Sequence, residues 1–160
     1  MHLIPAIFEP SYTTIEVYNQ SANSLICQLE GDVLYLDPPY NHRQYSACYH
    51  ILNTIAKYDA FEPKGKTGLR GYYRSPYSQQ KYATEAFSEL IEKAKFKYIF
   101  VSYNNEGILS LEQMQRIMEA HGDYRLVTKE YSRFKSDKDN NRQHAAHSTL
   151  EYLHILRKNT

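Results

Sequence analysis

Tryptophan is absent from this 160-residue sequence, cysteine occurs only as Cys27 and Cys48, and none of the six glycines precedes Gly31. Two cysteines make neither a disulfide framework nor a zinc-ligand spacing, so both are read as reduced thiols of a cytosolic protein. No apolar run approaches the ~20 residues that cross a bilayer, and no secretory leader pattern is visible, so a soluble, cytoplasmic chain with no membrane partner is expected. An excess of one charge sign is missing too: the formal net charge is +1, which names no partner. Internal repeats and low-complexity tracts are absent, and one domain over 1–160 is the natural reading of the length.

What the chain has in excess is tyrosine, 16 residues beside 6 phenylalanines. A tyrosine ring packs well in a core, and it also stacks on bases. The informative stretch is Asp32-Val33-Leu34-Tyr35-Leu36-Asp37-Pro38-Pro39-Tyr40. Val33 to Leu36 is a compact apolar run that predicts a buried strand, and the prolines end it because they cannot continue a central ladder. Asp37 and Tyr40 are thereby presented at a strand's carboxyl end, the edge of an open α/β sheet where ligands bind.

Around this stretch the periodicity alternates. Leu3 to Phe8 suggests a short extended piece, and Ile15-Glu16-Val17-Tyr18 alternates like a strand. Asn23 to Glu30 predicts a short helix stopped by Gly31. Asn41 to Asp59 predicts a long helix with Tyr45, Cys48, Tyr49, Leu52, Ile55 and Ala56 in one stripe. Residues 60–78 lose all periodicity and form a basic, Tyr-rich loop, of a length usually kept for function or disorder. A helix over Gln79–Lys95 and an apolar strand at Tyr98–Val101 follow, the strand running into Ser102-Tyr103-Asn104-Asn105. Ser110 with Gln113 makes a capping-box pattern for a third helix, and Gly122 is its stop. Tyr124–Tyr131 and Ser148–Arg157 read as an antiparallel strand pair. This order predicts a three-layer α/β fold with a mostly parallel sheet, an antiparallel C-terminal strand pair and helices on both faces.

The Asp-Pro-Pro-Tyr loop has a specific chemistry open to it. An ionised Asp37 and the Pro38 carbonyl are two fixed acceptors suited to the two N–H donors of an exocyclic amino group. An aryl amine is a poor nucleophile because its lone pair is delocalised into the ring. Accepting both hydrogens favours a pyramidal nitrogen that could attack a methyl sulfonium, while Tyr40 stacks on the ring. A proline-terminated strand with Asp37 as a cap is the plainer alternative for the four residues alone.

Asp37-Pro38-Pro39-Tyr40-Asn41, followed by Arg43-Gln44-Tyr45 and Tyr49-His50, resembles the N6-adenine DNA methyltransferases of restriction–modification systems. Gly65-Lys66-Thr67-Gly68-Leu69-Arg70, Val101-Ser102-Tyr103-Asn104-Asn105-Glu106-Gly107, and the tail with Tyr131, Arg133-Phe134-Lys135 and Glu151-Tyr152-Leu153 carry the likeness nearly from Ile15 onward. The resemblance implies a partial Rossmann-like methyltransferase fold, S-adenosylmethionine as methyl donor and a flipped-out adenine in double-stranded DNA as acceptor. It implies catalytic roles for Asp37, Pro38, Pro39 and Tyr40, and a base pocket of Tyr40, Asn41, Ser102, Tyr103 and Asn104. It implies phosphate contacts by Lys64, Lys66, Arg70, Arg74, Arg133 and Lys135. It places Asp37 and Ser21 at the cofactor, although Ser21 stands where the family commonly has an acidic residue.

No glycine-rich cofactor loop is recognisable in Met1 to Gln20. The chain therefore resembles the carboxy-terminal catalytic half of such an enzyme, expected to be an incomplete chain or a split subunit and inactive alone. A separate chain would then supply the cofactor loop and target recognition. The competing expectation is a catalytically inactive nucleic-acid-binding remnant. Amino methylation of another substrate, such as cytosine N4, is a third. Gly65-Lys66-Thr67 is not a phosphate-binding loop, because position 60 is Ala60 rather than glycine. His144 and His147 have no carboxylate or cysteine company, so no metal site is expected.

Overall fold

A computed structural model of the chain describes residues 14–132 and 148–159. The expected extended piece at Leu3 to Phe8 and the His144/His147 pair lie outside the described residues.

The elements are α1 (Ala22–Leu25), β1 (Glu30–Leu36), α2 (Tyr45–Cys48), α3 (His50–Lys57), α4 (Gln80–Lys93), β2 (Lys95–Asn104), α5 (Leu111–Glu119), β3 (Gly122–Ser132) and β4 (Ser148–Lys158). Short 3-10 turns follow α1 at Ile26–Gln28 and precede α4 at Pro76–Ser78. The chain is a mixed α/β fold around one four-stranded sheet ordered β1-β2-β4-β3. β1 and β2 run parallel, with Leu34 opposite Ile99 and Leu36 opposite Val101. β4 is antiparallel to both β2 and β3, the reversed C-terminal pair that the sequence predicts. Among the described residues the parallel part is thus one pairing of three.

The register decides which side chains reach the core. Ile99, Val101 and Tyr103 stand on the same face as Leu156 and His154 of β4 and Leu34 and Leu36 of β1. Every buried apolar side chain of the sheet belongs to this face, and the apolar stripe of α4 (Ala83, Ala86, Phe87, Leu90 and Ile91) packs over it with Met114 and Met118 of α5. On the opposite face Val33 and Tyr35 are exposed, and Phe100 and Ile155 are only half-buried. Helices therefore cover one face among the described residues, where the sequence predicts helices on both faces and three layers. A four-residue apolar run shows that a strand forms, but it does not show that both sides of the strand are covered. Val33–Leu36 is accordingly half-exposed rather than buried.

Several local expectations shift for identifiable reasons. Ile15 to Tyr18 has no strand partner and is exposed, since alternation without a neighbouring ladder does not make a strand. Gly31 lies within β1 rather than ending a helix. The helix predicted from Asn41 starts at Tyr45, because the Asn41 Oδ1 accepts the Arg43 N–H at 2.9 Å and holds a turn. It is split at Tyr49 into α2 and α3. Residues 60–78 contain a tight hairpin in which Lys64 pairs with Leu69, with Gly65 and Gly68 in the left-handed region at φ 68° and 65°. The capping box of α5 forms as expected: Ser110 Oγ accepts the Gln113 N–H and Gln113 Oε1 accepts the Ser110 N–H.

Candidate active site

β1 delivers Asp37 at its carboxyl end, and Pro38 and Pro39 turn the chain away from the sheet. The loop is then fixed from behind. The Tyr40 carbonyl accepts the Ile108 N–H at 2.9 Å. The Tyr40 ring meets Tyr103 edge-on, with centroids 6.2 Å apart and planes at 86°. Tyr103 is 2% exposed, and its hydroxyl accepts the Leu109 N–H at 3.1 Å. A Cβ at position 107 would lie 2.0 Å from the Tyr103 ring, so Gly107 is what lets the β2–α5 loop close over that ring.

Gln44, nearly buried, ties in a third segment by accepting the Ser75 N–H at its Oε1, 2.9 Å away. Tyr77 donates its hydroxyl to Asn23 Oδ1 at 2.6 Å, and the Asn23 amide in turn donates to the Ala86 carbonyl and Glu89. These bonds hold α1, and with it Ser21, against α4. Burial, then Glu89 and Tyr73, push the Tyr77 phenol far above its ordinary range, so it remains a donor. Burial also raises the Tyr40 phenol, with Tyr45, Glu151 and Asp37 adding to the shift, so Tyr40 presents a neutral ring.

Two cavities flank the loop and Pro39 lines both. One, of about 340 Å³, is bordered by Ser21, Tyr35, Leu36, Asp37, Pro38 and Tyr73 among others. Its carboxylate and tyrosine rings suit a cationic group, and Leu36, Pro76 and Leu90 suit an apolar ring. The Ser21 side chain makes no capping bond to α1. These residues fit one side of an adenosyl-type sulfonium ligand; no glycine-rich turn is among them. The other cavity, about 230 Å³, is lined by Pro39, Tyr40, Asn41, Arg43, Tyr45, Cys48 and Tyr49. That is below the roughly 300–1,000 Å³ of clefts for drug-sized ligands, a scale suited to a single base. Tyr45 and Tyr49 stack on each other in its wall, centroids 6.0 Å apart.

The structure thus brings Asp37, Pro38 and Ser21 together at one cavity and Tyr40 and Asn41 at the other. Ser102, Tyr103 and Asn104 belong to β2 rather than a loop, and none of the three lines either cavity. Tyr103 supports Tyr40 from within the core, and Asn104 Oδ1 accepts the Glu106 N–H at 3.1 Å in the turn that follows. Among the expected phosphate contacts, Lys64 and Lys66 are exposed on the hairpin and Arg74 is exposed beyond it. Arg70 differs: its guanidinium meets both Asp59 oxygens at 2.6 and 2.8 Å, lies 4.1 Å over the Phe61 ring, and is 11% exposed. Arg133 and Lys135 lie outside the described residues. Tyr73, Tyr45 and Tyr49 line the two cavities and Gln44 braces Ser75 at the edge of one, placements that the sequence alone does not assign. Arg43-Gln44-Tyr45, directly after the proline loop, was the available signal. Among the described residues no group of three His, Cys, Asp or Glu side chains is placed to hold a metal, and no helix is long and apolar enough to cross a membrane.

A parallel strand that ends in a carboxylate and two prolines, with two cavities meeting at Pro39, places the class of site at a strand's carboxyl end on an α/β sheet. Residues 2–117 match the D12 class N6 adenine-specific DNA methyltransferases, and the chain belongs to that family. It is 56% identical over 158 residues to the Type II methyltransferase M.NlaIII of Neisseria lactamica, covering 99% of this chain and 47% of that protein. It is 45% identical over 148 residues to the Type II methyltransferase M.FokI of Planomicrobium okeanokoites, covering 89% of this chain and 22% of that protein. Type II methyltransferase M.CviAII of Paramecium bursaria Chlorella virus 1 is 31% identical over 139 residues, 81% of this chain and 40% of that protein. The chain spans less than half the length of these relatives. No solved structure matches it.

Proposed function

We propose that this chain supplies the base-gripping part of a cytoplasmic enzyme that methylates adenine N6 in double-stranded DNA. The observation that carries the reading is the pair of cavities meeting at Pro39, with Asp37 on one side and Tyr40 on the other. S-adenosylmethionine supplies an electrophilic methyl group when bound, and Ser21, Tyr35, Asp37 and Tyr73 are the residues that would hold it. Asp37 and the Pro38 carbonyl accept the two N6 hydrogens, which pyramidalises the amine and aims its lone pair out of the ring plane. Tyr40 stacks on a base turned out of the duplex into the smaller cavity, and Asn41 borders it. Tyr103 acts on that pocket from behind Tyr40. As N6 gains the methyl group, Asp37 is the acceptor for its surplus proton.

Lys64, Lys66, Arg74, Arg133 and Lys135 are proposed to contact phosphates, contributing affinity without sequence reading. Arg70 would join them only by releasing Asp59.

The test pairs this chain with the part of the N. lactamica relative that it does not match, and follows labelled methyl transfer to duplex DNA. Nucleoside analysis is expected to give N6-methyladenine, and Asp37→Ala to slow transfer by roughly 10²–10³-fold, the scale for losing one electrostatic contact at a reacting centre. Label on cytosine, or an undiminished rate in the variant, refutes the assignment. The second reading, an inactive nucleic-acid-binding remnant, is favoured by the lining of the Asp37 cavity, which includes no glycine among the described residues. It predicts no calorimetric binding of S-adenosylmethionine with or without the complementary part.

A further inference from the structure

Residues 60–73 are anchored by one polar side-chain contact. Arg70 Nη2 donates to both Asp59 oxygens at 2.6 and 2.8 Å, and the guanidinium lies 4.1 Å over the Phe61 ring. Among the described residues no other side-chain hydrogen bond or ion pair leaves this stretch. The footing of the clasp is fixed. Tyr58 ends α3 in the left-handed region at φ 45°, and Asp59 follows it directly. α3 continues from α2, whose Tyr45 and Cys48 line the smaller cavity with Tyr49. Beyond Arg70 the chain is held again where the Ser75 N–H meets Gln44, the residue that opens α2. The basic stretch is thus pinned at both ends to segment 44–59, which walls the smaller cavity. Between the pins, Lys64 and Leu69 exchange backbone hydrogen bonds of 2.9 and 2.8 Å. Lys64 and Lys66 are exposed on this hairpin, and neither has a carboxylate partner among the described residues.

Resting on the reading given under Proposed function, we propose that Arg70 is a positioning residue. Its clasp on Asp59 and Phe61 fixes the Lys64–Leu69 hairpin relative to the smaller cavity, so that Lys64 and Lys66, and not Arg70 itself, meet DNA phosphates. The charge of Arg70 is already matched by Asp59, and a phosphate would have to displace a carboxylate held through both oxygens. The clasp is also poorly built for stability alone. Arg70 Nη1 is buried with no hydrogen-bond partner, and an unsatisfied donor offsets much of what the ion pair gains. Fixing a register is the best-attested use of such a pair. A phosphate contact adds to base capture only if it stands at a set distance from the pocket, which is what the clasp provides.

The full chain is titrated with a fluorescein-labelled DNA duplex by anisotropy over a salt series, and amide exchange in the hairpin is followed without DNA. Asp59→Asn gives opposite signs for the two roles open to Arg70. A phosphate-contacting Arg70, freed from its carboxylate, would bind DNA more tightly; a positioning Arg70 loses its anchor. The expected result is binding weakened about tenfold at about 0.1 M salt, the scale of one lost phosphate contact. The Lys64 and Leu69 amides are expected to exchange about tenfold faster, with the urea midpoint unchanged. Lys66→Gln should lower the salt slope by about 0.9 in the unaltered chain and not at all in the Asp59→Asn chain, a coupling that general destabilisation would not produce. Arg70→Lys keeps the charge but lacks the bidentate fork and the ring stack, and it is expected to match Asp59→Asn. Equal or tighter binding by Asp59→Asn, or an Arg70→Lys chain that binds like the unaltered one, overturns the inference and leaves the catalytic reading standing. So does hairpin exchange that neither substitution changes. An unaltered chain with no salt-dependent binding of the duplex overturns it together with the phosphate contacts given under Proposed function.

Discussion

Helices α3 and α4 carry the same kind of apolar stripe and meet opposite fates. In α4, Phe87 and Ile91 are 0% exposed and Leu90 3%, clamped between the sheet and α1. In α3, Ile51, Leu52 and Ile55 are between 61% and 67% exposed, and no residue of the helix is buried. An apolar stripe at helical spacing specifies a helix and a face. It does not specify that the face's partner is present in the same chain. α4 sits over β2 and β4, which this chain supplies, whereas α3 lies on the side of the molecule that follows the proline loop.

The contrast can be tested from its strong end downward. Phe87→Ala should cost about 3–5 kcal/mol, the range for emptying a large aromatic site in a packed core, read as a fall in the urea midpoint. The covered side of the sheet also holds a pH signature. His154 is 0% exposed, with its Nδ1 2.8 Å from the Tyr124 hydroxyl, and burial lowers its pKa to about 4. The unfolded chain takes up this proton near pH 6.5, before the folded chain does. Stability from this residue is therefore complete above pH 6.5 and falls as the pH drops towards 4, by on the order of 2–3 kcal/mol. Urea titrations at pH 7 and pH 4.5 should differ by less in His154→Phe than in the unaltered chain; an equal difference would mean other groups carry the dependence. At the weak end, Ile55→Ser on α3 should change the stability of the chain alone by less than about 0.5 kcal/mol. A loss near that of Phe87→Ala would show that the α3 stripe is packed in solution and end the contrast.

Element types were legible where a local rule suffices. The strand into Asp37, the buried stripe of α4, the capping box at Ser110 and the antiparallel tail all follow from period, proline chemistry and side-chain capping. The place of the proline loop was equally legible, because Asp37, Pro38 and Tyr40 are neighbours in sequence and follow the end of β1 directly. What the sequence could not yield is tertiary pairing. Ser21 reaches the Asp37 cavity through Asn23 and Tyr77, more than fifty residues apart. Arg70 looks like a free cation until Asp59 and Phe61 are seen around it. Tyr103 looks like a base contact by its place at a strand end, yet parity turns it inward, and Gly107 makes room for it there.

β4 lies in the interior of the sheet, between β2 and β3, although it is made after both. Until residues 148–158 leave the ribosome, β2 and β3 each have an open edge facing the gap that β4 will fill. Their sole mutual connection is then the chain through α5. The two parts of the sheet are consequently joined in one late event, and a message interrupted just short of Ser148 yields a β1–β2 pair unjoined to β3, with open edges prone to pair with those of other chains.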